Sequence, residues 1–319
     1  MTMMKPVFSS FQPLFSPPLP LLRHPRWPWM NSSTTHHHHS NQPKAKLVVI
    51  MGATGAGKSR LSIDLSAHLP RPQIINSDKM QLYNGLDITT NKIPPDERKG
   101  VRHFLLGDFD SIDADVEPSQ YRSTAAFNVA EIASHGDLPV VVGGSNSFIH
   151  ALLVDTFDPE VDVFAAGSGS VSHVLRYDCC FIWVDVAWSV LRDYLCQRVD
   201  EMLYSGMLEE LARFYDPAKV ENGLVPQLGS DTARREAYEE AVRDIKDNTC
   251  RLAKRQIGKI MKLRAAGWDL TRIDATVAFR AVMTKENEKK NESESDSPDV
   301  WEREVVEPSV EVVKKFLEE

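Results

Sequence analysis

The stretch KLVVIMGATGAGKS, residues 46–59, joins a continuous apolar run to a glycine-rich turn. Residues 47–51 are all apolar, the pattern of a strand buried on both faces of a parallel sheet. After Ser59, Leu61, Leu65 and Leu69 recur every four residues until Pro70 and Pro72 end the pattern, which predicts a helix. Between strand and helix, Gly52, Gly57, Lys58 and Ser59 satisfy G-x-x-x-x-G-K-[ST]. In that setting the motif is a phosphate loop. Gly52, Ala53, Thr54, Gly55, Ala56, Gly57, Lys58 and Ser59 then wrap an anion with backbone N–H groups, Lys58 adds a charge, and the helix presents its positive end. Ser59 is the candidate Mg²⁺ ligand, through its hydroxyl. The loop alone does not say whose phosphate it holds, and a nucleotide kinase or an ATPase is the first reading.

Outward from the loop, strand-like and helix-like segments alternate. QIINSD (73–78), PVVVGGS (139–145) and CCFIWVDV (179–186) read as strands, with a helix over 123–134. The fold class this implies is α/β: a parallel sheet of the P-loop NTPase kind over 45–186, flanked by helices. Long helices follow over 190–214 and from about 230 to 266, the second closed by Gly267, so that 187–284 is mainly helical. Residues 285–319 read as an acidic, solvated tail with a short terminal helix.

The charge is unevenly spread. The net is −8, yet the first acidic residue is Asp64, and Lys5, Arg23, Arg26, Lys44 and Lys46 precede it. The remaining chain is thus more acidic than the net value and matches nucleic-acid phosphate poorly, so no nucleic-acid partner is expected. Residues 1–44, basic, acid-free and rich in Pro, Ser and Thr, read as a disordered segment and as an organellar transit peptide. The four histidines His36 to His39 close it. Apolar runs are strand-sized, so no membrane span is expected. Cys179, Cys180, Cys196 and Cys250 show neither C-x-x-C spacing nor a histidine partner motif, which argues against a zinc site or a disulfide framework.

Two carboxylates compete for a role beside the loop. Asp78 ends the second strand, at the sheet edge where ligands gather; Asn76, Ser77 and Asp78 are also common turn caps, and that reading stays open. Asp185 ends the FIWVDV strand and is the candidate metal-binding carboxylate if the protein is an ATPase.

GATGAGKSRLSIDL, INSDKMQLYNGLDITTNKI, VVGGSNSFIHALL, RVDEMLYSGMLEEL and NTCRLAKRQIGKIMKLRAAGWDL occur in this order between residues 46 and 274. Together they resemble the plant adenylate isopentenyltransferases, which commit adenine nucleotides to cytokinin synthesis. Transfer-RNA isopentenyltransferases share the loop and the Asp block. The resemblance implies that the loop holds the diphosphate of dimethylallyl diphosphate, with Mg²⁺, and that the dimethylallyl group passes to N6 of an adenine nucleotide. It implies Asp78 as the base, with Lys58 stabilising the leaving group and Ser77 beside it. Gly144, Ser145 and Asn146 would lie by the acceptor channel and Asp185 near the nucleotide, although Ser and Asn after a strand also serve as helix caps. Lys254 and Arg255 would meet the outer phosphates and favour ADP or ATP over AMP; a basic helix stripe is otherwise a solvated face. The implied compartment is the plastid, with the cytoplasm as the alternative. In one place the chain departs from the family: between Tyr215 and Arg234, ENGLVPQLGSD stands where a longer G-V-P-E-like block is usual.

Overall fold

The computed structural model describes residues 44–110, 115–165, 171–214, 231–288 and 300–319. The leader reading of 1–43, the shortened stretch within 215–230 and the linker 289–299 lie outside the described residues.

Strand β1 (Lys46–Gly52) runs through the middle of a six-stranded sheet and leads into α1 (Lys58–Ser66). β2 (Pro72–Asn76), the two-residue β3 (His103–Phe104), β4 (Leu138–Gly143), β5 (Asp178–Asp185) and β6 (Leu270–Asp274) complete it in the order β3-β2-β4-β1-β5-β6, every pair parallel. β1 lies between β4 and β5, so the chain crosses it on the way from one to the other, and the crevice of a parallel sheet opens at such a crossing. Pleating sends Leu47, Val49 and Met51 into one apolar layer and Val48 and Ile50 into the other. The first layer includes α2 (Pro118–Ser134) and α3 (Asn146–Leu153), the second α1 and the C-terminal segment.

Besides adding β3 and α3 and starting α2 at Pro118, the structure differs from the sequence reading in three larger respects. The helix expected over 190–214 is two helices, α4 (Trp188–Tyr204) and α5 (Met207–Phe214), because Gly206 adopts φ 97°, a left-handed corner open to glycine. After α6 (Asp231–Ala265), and a turn at Gly267 as expected, the region read as helical contributes β6, whose Leu270 and Ile273 are buried against β5 before α7 (Thr276–Glu288). The sheet therefore does not end at Val186. The terminal helix α8 (Glu307–Glu318), with the π-turn Glu302–Val306 before it, is also no solvated appendage: Trp301, Val305, Val306 and Val313 belong to the core.

Candidate active site

Strand ends place the site. Gly52 closes β1 with so little room that a Cβ would strike the Val184 carbonyl of β5, and Gly55 and Gly57 then take φ 77° and 89° as the loop curls into α1. Only residues without a Cβ adopt such angles freely, which is why the motif has glycine there. The β2 and β4 ends are laced together: Ser77 N–H donates to Val142 O at 2.7 Å, Ser145 N–H to Ser77 O at 3.0 Å, and Lys79 N–H to Ser145 Oγ at 2.9 Å. Gly143 leaves room for this, since a Cβ there would sit on the Ser77 backbone.

A cleft of about 710 Å³ runs along this edge. Its walls include Thr54, Gly55, Gly57, Lys58 and Ser59 of the loop, Asn76, Asp78 and Gln81 after β2, the turn residues Thr90, Asn91, Lys92 and Ile93, and Tyr194, Arg198 and Glu201 of α4. Lys58 is buried and its ammonium donates to Ala53 O at 2.7 Å. Burial pulls it down to about 8, opposed by the nearby Asp78 carboxylate and assisted by Arg198. Burial likewise raises Asp78 above the ordinary carboxylate range, against the pull of Lys58. Arg198 donates to Thr54 Oγ1 at 3.1 Å. Lys58, Arg198 and Asp78 thus act on one another electrostatically at the phosphate-loop end of the cleft.

Asp78 caps the one-turn helix Lys79–Gln81, its Oδ1 accepting from Met80 N–H at 3.1 Å, and it also lines the cleft beside Lys58. The cap is thus observed, and the same side chain faces the cleft. Ser77 is fully buried, its side chain beside the buried Tyr121 phenol. Ser145 stands at the start of α3 without capping it, its hydroxyl being taken by Lys79 N–H, and Asn146 Nδ2 donates to Gln256 O at 3.1 Å. Gly144 packs on the Gln256 side chain. These three residues brace the floor of the site and do not line the cleft.

Asp185 is elsewhere: its Oδ2 accepts from Arg272 Nε at 2.7 Å, an ion pair between the ends of β5 and β6. Lys254 lies over the Trp188 ring, 4.6 Å from its centroid, and Arg255 is exposed on α6; neither joins the cleft wall. Ser59 is exposed on that wall. Among the described residues no group of three His, Cys, Asp or Glu side chains could hold a metal. A hard cation held by one protein oxygen together with substrate phosphates needs no such cage, and the exposed Ser59 hydroxyl on the cleft wall fits that use.

Two functional side chains escaped the sequence reading. Arg198 lies in the RVDEML block of α4, where nothing in the sequence shows which way its side chain faces. Gln256 is buried on α6 and its Oε1 accepts Thr54 N–H at 2.7 Å, pinning the loop across 202 residues of chain. A polar residue on the buried face of an otherwise charged helix was the available signal.

A family model described as IPP transferase matches residues 81–172 and 163–260. An adenylate isopentenyltransferase of Humulus lupulus is 53% identical, covering 85% of this chain and 90% of that one. Adenylate isopentenyltransferase 1 of Arabidopsis thaliana, named as chloroplastic, is 47% identical, with 91% and 86% covered. Among solved structures, a eukaryotic dimethylallyltransferase acting on tRNA superposes with a TM-score of 0.59 at 23% identity, over 81% of this chain and 83% of that one, a likeness of fold.

Proposed function

The chain belongs to the adenylate isopentenyltransferase family, and from that premise we propose that it transfers the dimethylallyl group of dimethylallyl diphosphate to N6 of the adenine of ADP or ATP, releasing diphosphate. The observation that carries the reading is the meeting of Asp78 with Lys58 and Arg198 at the phosphate loop. As the allylic C–O bond breaks, negative charge grows on the departing diphosphate, and fixed cations with loop amides stabilise it best at that moment. Ser59 would hold Mg²⁺ together with the diphosphate, and the ion would add Lewis-acid stabilisation of the same oxygens. N6 is a weak nucleophile because its lone pair is delocalised into the ring. As the C–N bond forms, Asp78 accepts the N6 proton, and a carboxylate whose proton affinity burial has raised is the better base for it.

An acidic body argues for a free nucleotide over transfer RNA as acceptor. The basic, acid-free residues 1–44 support plastid import of this chain. Incubation with dimethylallyl diphosphate, Mg²⁺ and, separately, AMP, ADP, ATP and transfer RNA, followed by product mass, tests the reading. Dimethylallylated ADP or ATP is the expected product. Prenylated transfer RNA alone, or a new phosphate ester, would overturn it.

A further inference from the structure

Glu210 of α5 lies outside the cleft wall, yet its carboxylate takes three donors from a turn that forms part of that wall. Ile88 N–H reaches Oε1 at 2.9 Å, while Thr89 N–H and Thr89 Oγ1 reach Oε2 at 2.7 and 2.6 Å. Hydrogen bonds to an ionised acceptor are the strong ones, and three to one carboxylate fix a segment firmly. The same helix presses the Phe214 ring on Gly85, where no Cβ would fit.

Within the turn Thr90 N–H and Oγ1 donate to Leu86 O at 2.9 and 2.7 Å and Lys92 Nζ to Asp87 Oδ1 at 2.8 Å, and Glu210 adds a hold from outside it. Leu86 and Asn91 sit at φ 50° and 51°, a region costly for a branched aliphatic residue such as leucine, and such conformations persist only where surroundings over-determine them. The turn then holds something itself: Gln81 Nε2 donates to Thr90 O at 3.0 Å and to Asn91 O at 3.1 Å. Gln81 ends the one-turn helix that Asp78 caps, and its own N–H donates to Asp78 O at 3.1 Å.

We propose that Glu210 is a positioning residue for Asp78: it fixes the 86–92 turn, whose carbonyls fix Gln81 and with it the short helix that aims the base. This rests on the assignment of Asp78 as base. The loop, Lys58 and Arg198 do not hang on the turn, so the effect falls on the chemical step and spares capture of the diphosphate.

The experiment is steady-state kinetics on the full chain with dimethylallyl diphosphate, ADP and Mg²⁺ for Glu210→Ala, Glu210→Gln, Gln81→Met, the Glu210→Ala/Gln81→Met pair, and Asp78→Asn. Glu210→Ala is expected to lower kcat by about 10- to 100-fold, the scale of misplaced catalytic groups, with KM for the diphosphate within about threefold. Glu210→Gln, which keeps one acceptor oxygen and loses the charge and the second, should recover only part of it. The double variant should be little slower than the slower single one, since both act along one path. If Glu210→Ala does not fold, Thr89→Val removes one donor only and should still lower kcat. Parent kcat in the Glu210 or Thr89 variant, or singles whose losses multiply, overturns the positioning role. If Asp78→Asn keeps turnover, the base assignment falls and this inference with it; if Asp78→Asn is inactive while Glu210→Ala keeps parent kcat, the positioning role alone falls.

Discussion

In the proposed reaction Lys58 and Asp78 work in opposite protonation states, and burial brings their transitions closer together. Turnover through the free enzyme needs Asp78 ionised and Lys58 protonated, so kcat/KM should be bell-shaped, its basic limb near the Lys58 value of about 8 and its acid limb above the ordinary carboxylate range. Initial rates at low substrate across about pH 5 to 10 check this, and a plateau running through about pH 9.5 would contradict it. The same shift touches stability. Between about 8 and 10.5 the unfolded chain holds a proton that folded Lys58 has released, so the stability attributable to Lys58 rises with pH across that window. A buried cation that weakens the fold at neutral pH is explicable as machinery for an anion. Asp78→Asn keeps most of the cap, so it should barely move the melting temperature while removing at least about 100-fold in turnover.

At the scale of elements, the α4–α5 corner decides what each helix reaches. α4 carries Arg198 to the loop; α5, redirected by Gly206, carries Glu210 to the 86–92 turn. One straight helix would not serve both. Gly206→Ala places a Cβ at φ 97° and should destabilise the protein by about 1–2 kcal/mol, seen as a lower urea midpoint with unchanged slope. An unchanged midpoint would mean that the corner relaxes freely. α6 is the other shared element: Lys246 pairs with Asp200 of α4 at 2.6 Å, and Gln256 reaches the loop ten residues further on.

Over the whole molecule, the C-terminal segment 300–319 closes the face of the sheet behind the loop. The Trp301 ring packs on Gly57 and Phe279, and its indole N–H donates to Asp64 at 3.0 Å. Losing a buried tryptophan alone typically costs about 3–5 kcal/mol, a large share of any domain's stability. Truncation after Asp299 is therefore expected to give an aggregating or much less thermostable protein, whereas removal of residues 1–43 should leave melting temperature and activity as they were. Thermal melts and the transfer assay on both truncations check this; a stable, active C-terminal truncation would contradict the packing argument.

Local chemistry was legible in the sequence alone. The apolar run, glycine turn and Lys-Ser pair of residues 46–59 form one motif because backbone angle, charge and hydroxyl are all properties of adjacent residues, and they located the strand, the helix and the loop between them. Asp78 was legible for the same reason, lying at the end of the next strand. Residues whose roles depend on partners far along the chain were not. Asp185 ends its strand as a ligand-binding residue can, but its ion pair with Arg272 is visible only in the fold, and Lys254 and Arg255 sat on a stripe whose direction only packing sets. Arg198, Gln256 and Glu210 looked like ordinary helix residues; their roles come from contacts spanning 144, 202 and 121 positions. β6 escaped because a short strand at a sheet edge carries too little periodicity to be seen without its neighbour. The tertiary fold alone decides such matters, because burial and hydrogen-bond partners are set by the whole chain closing on itself.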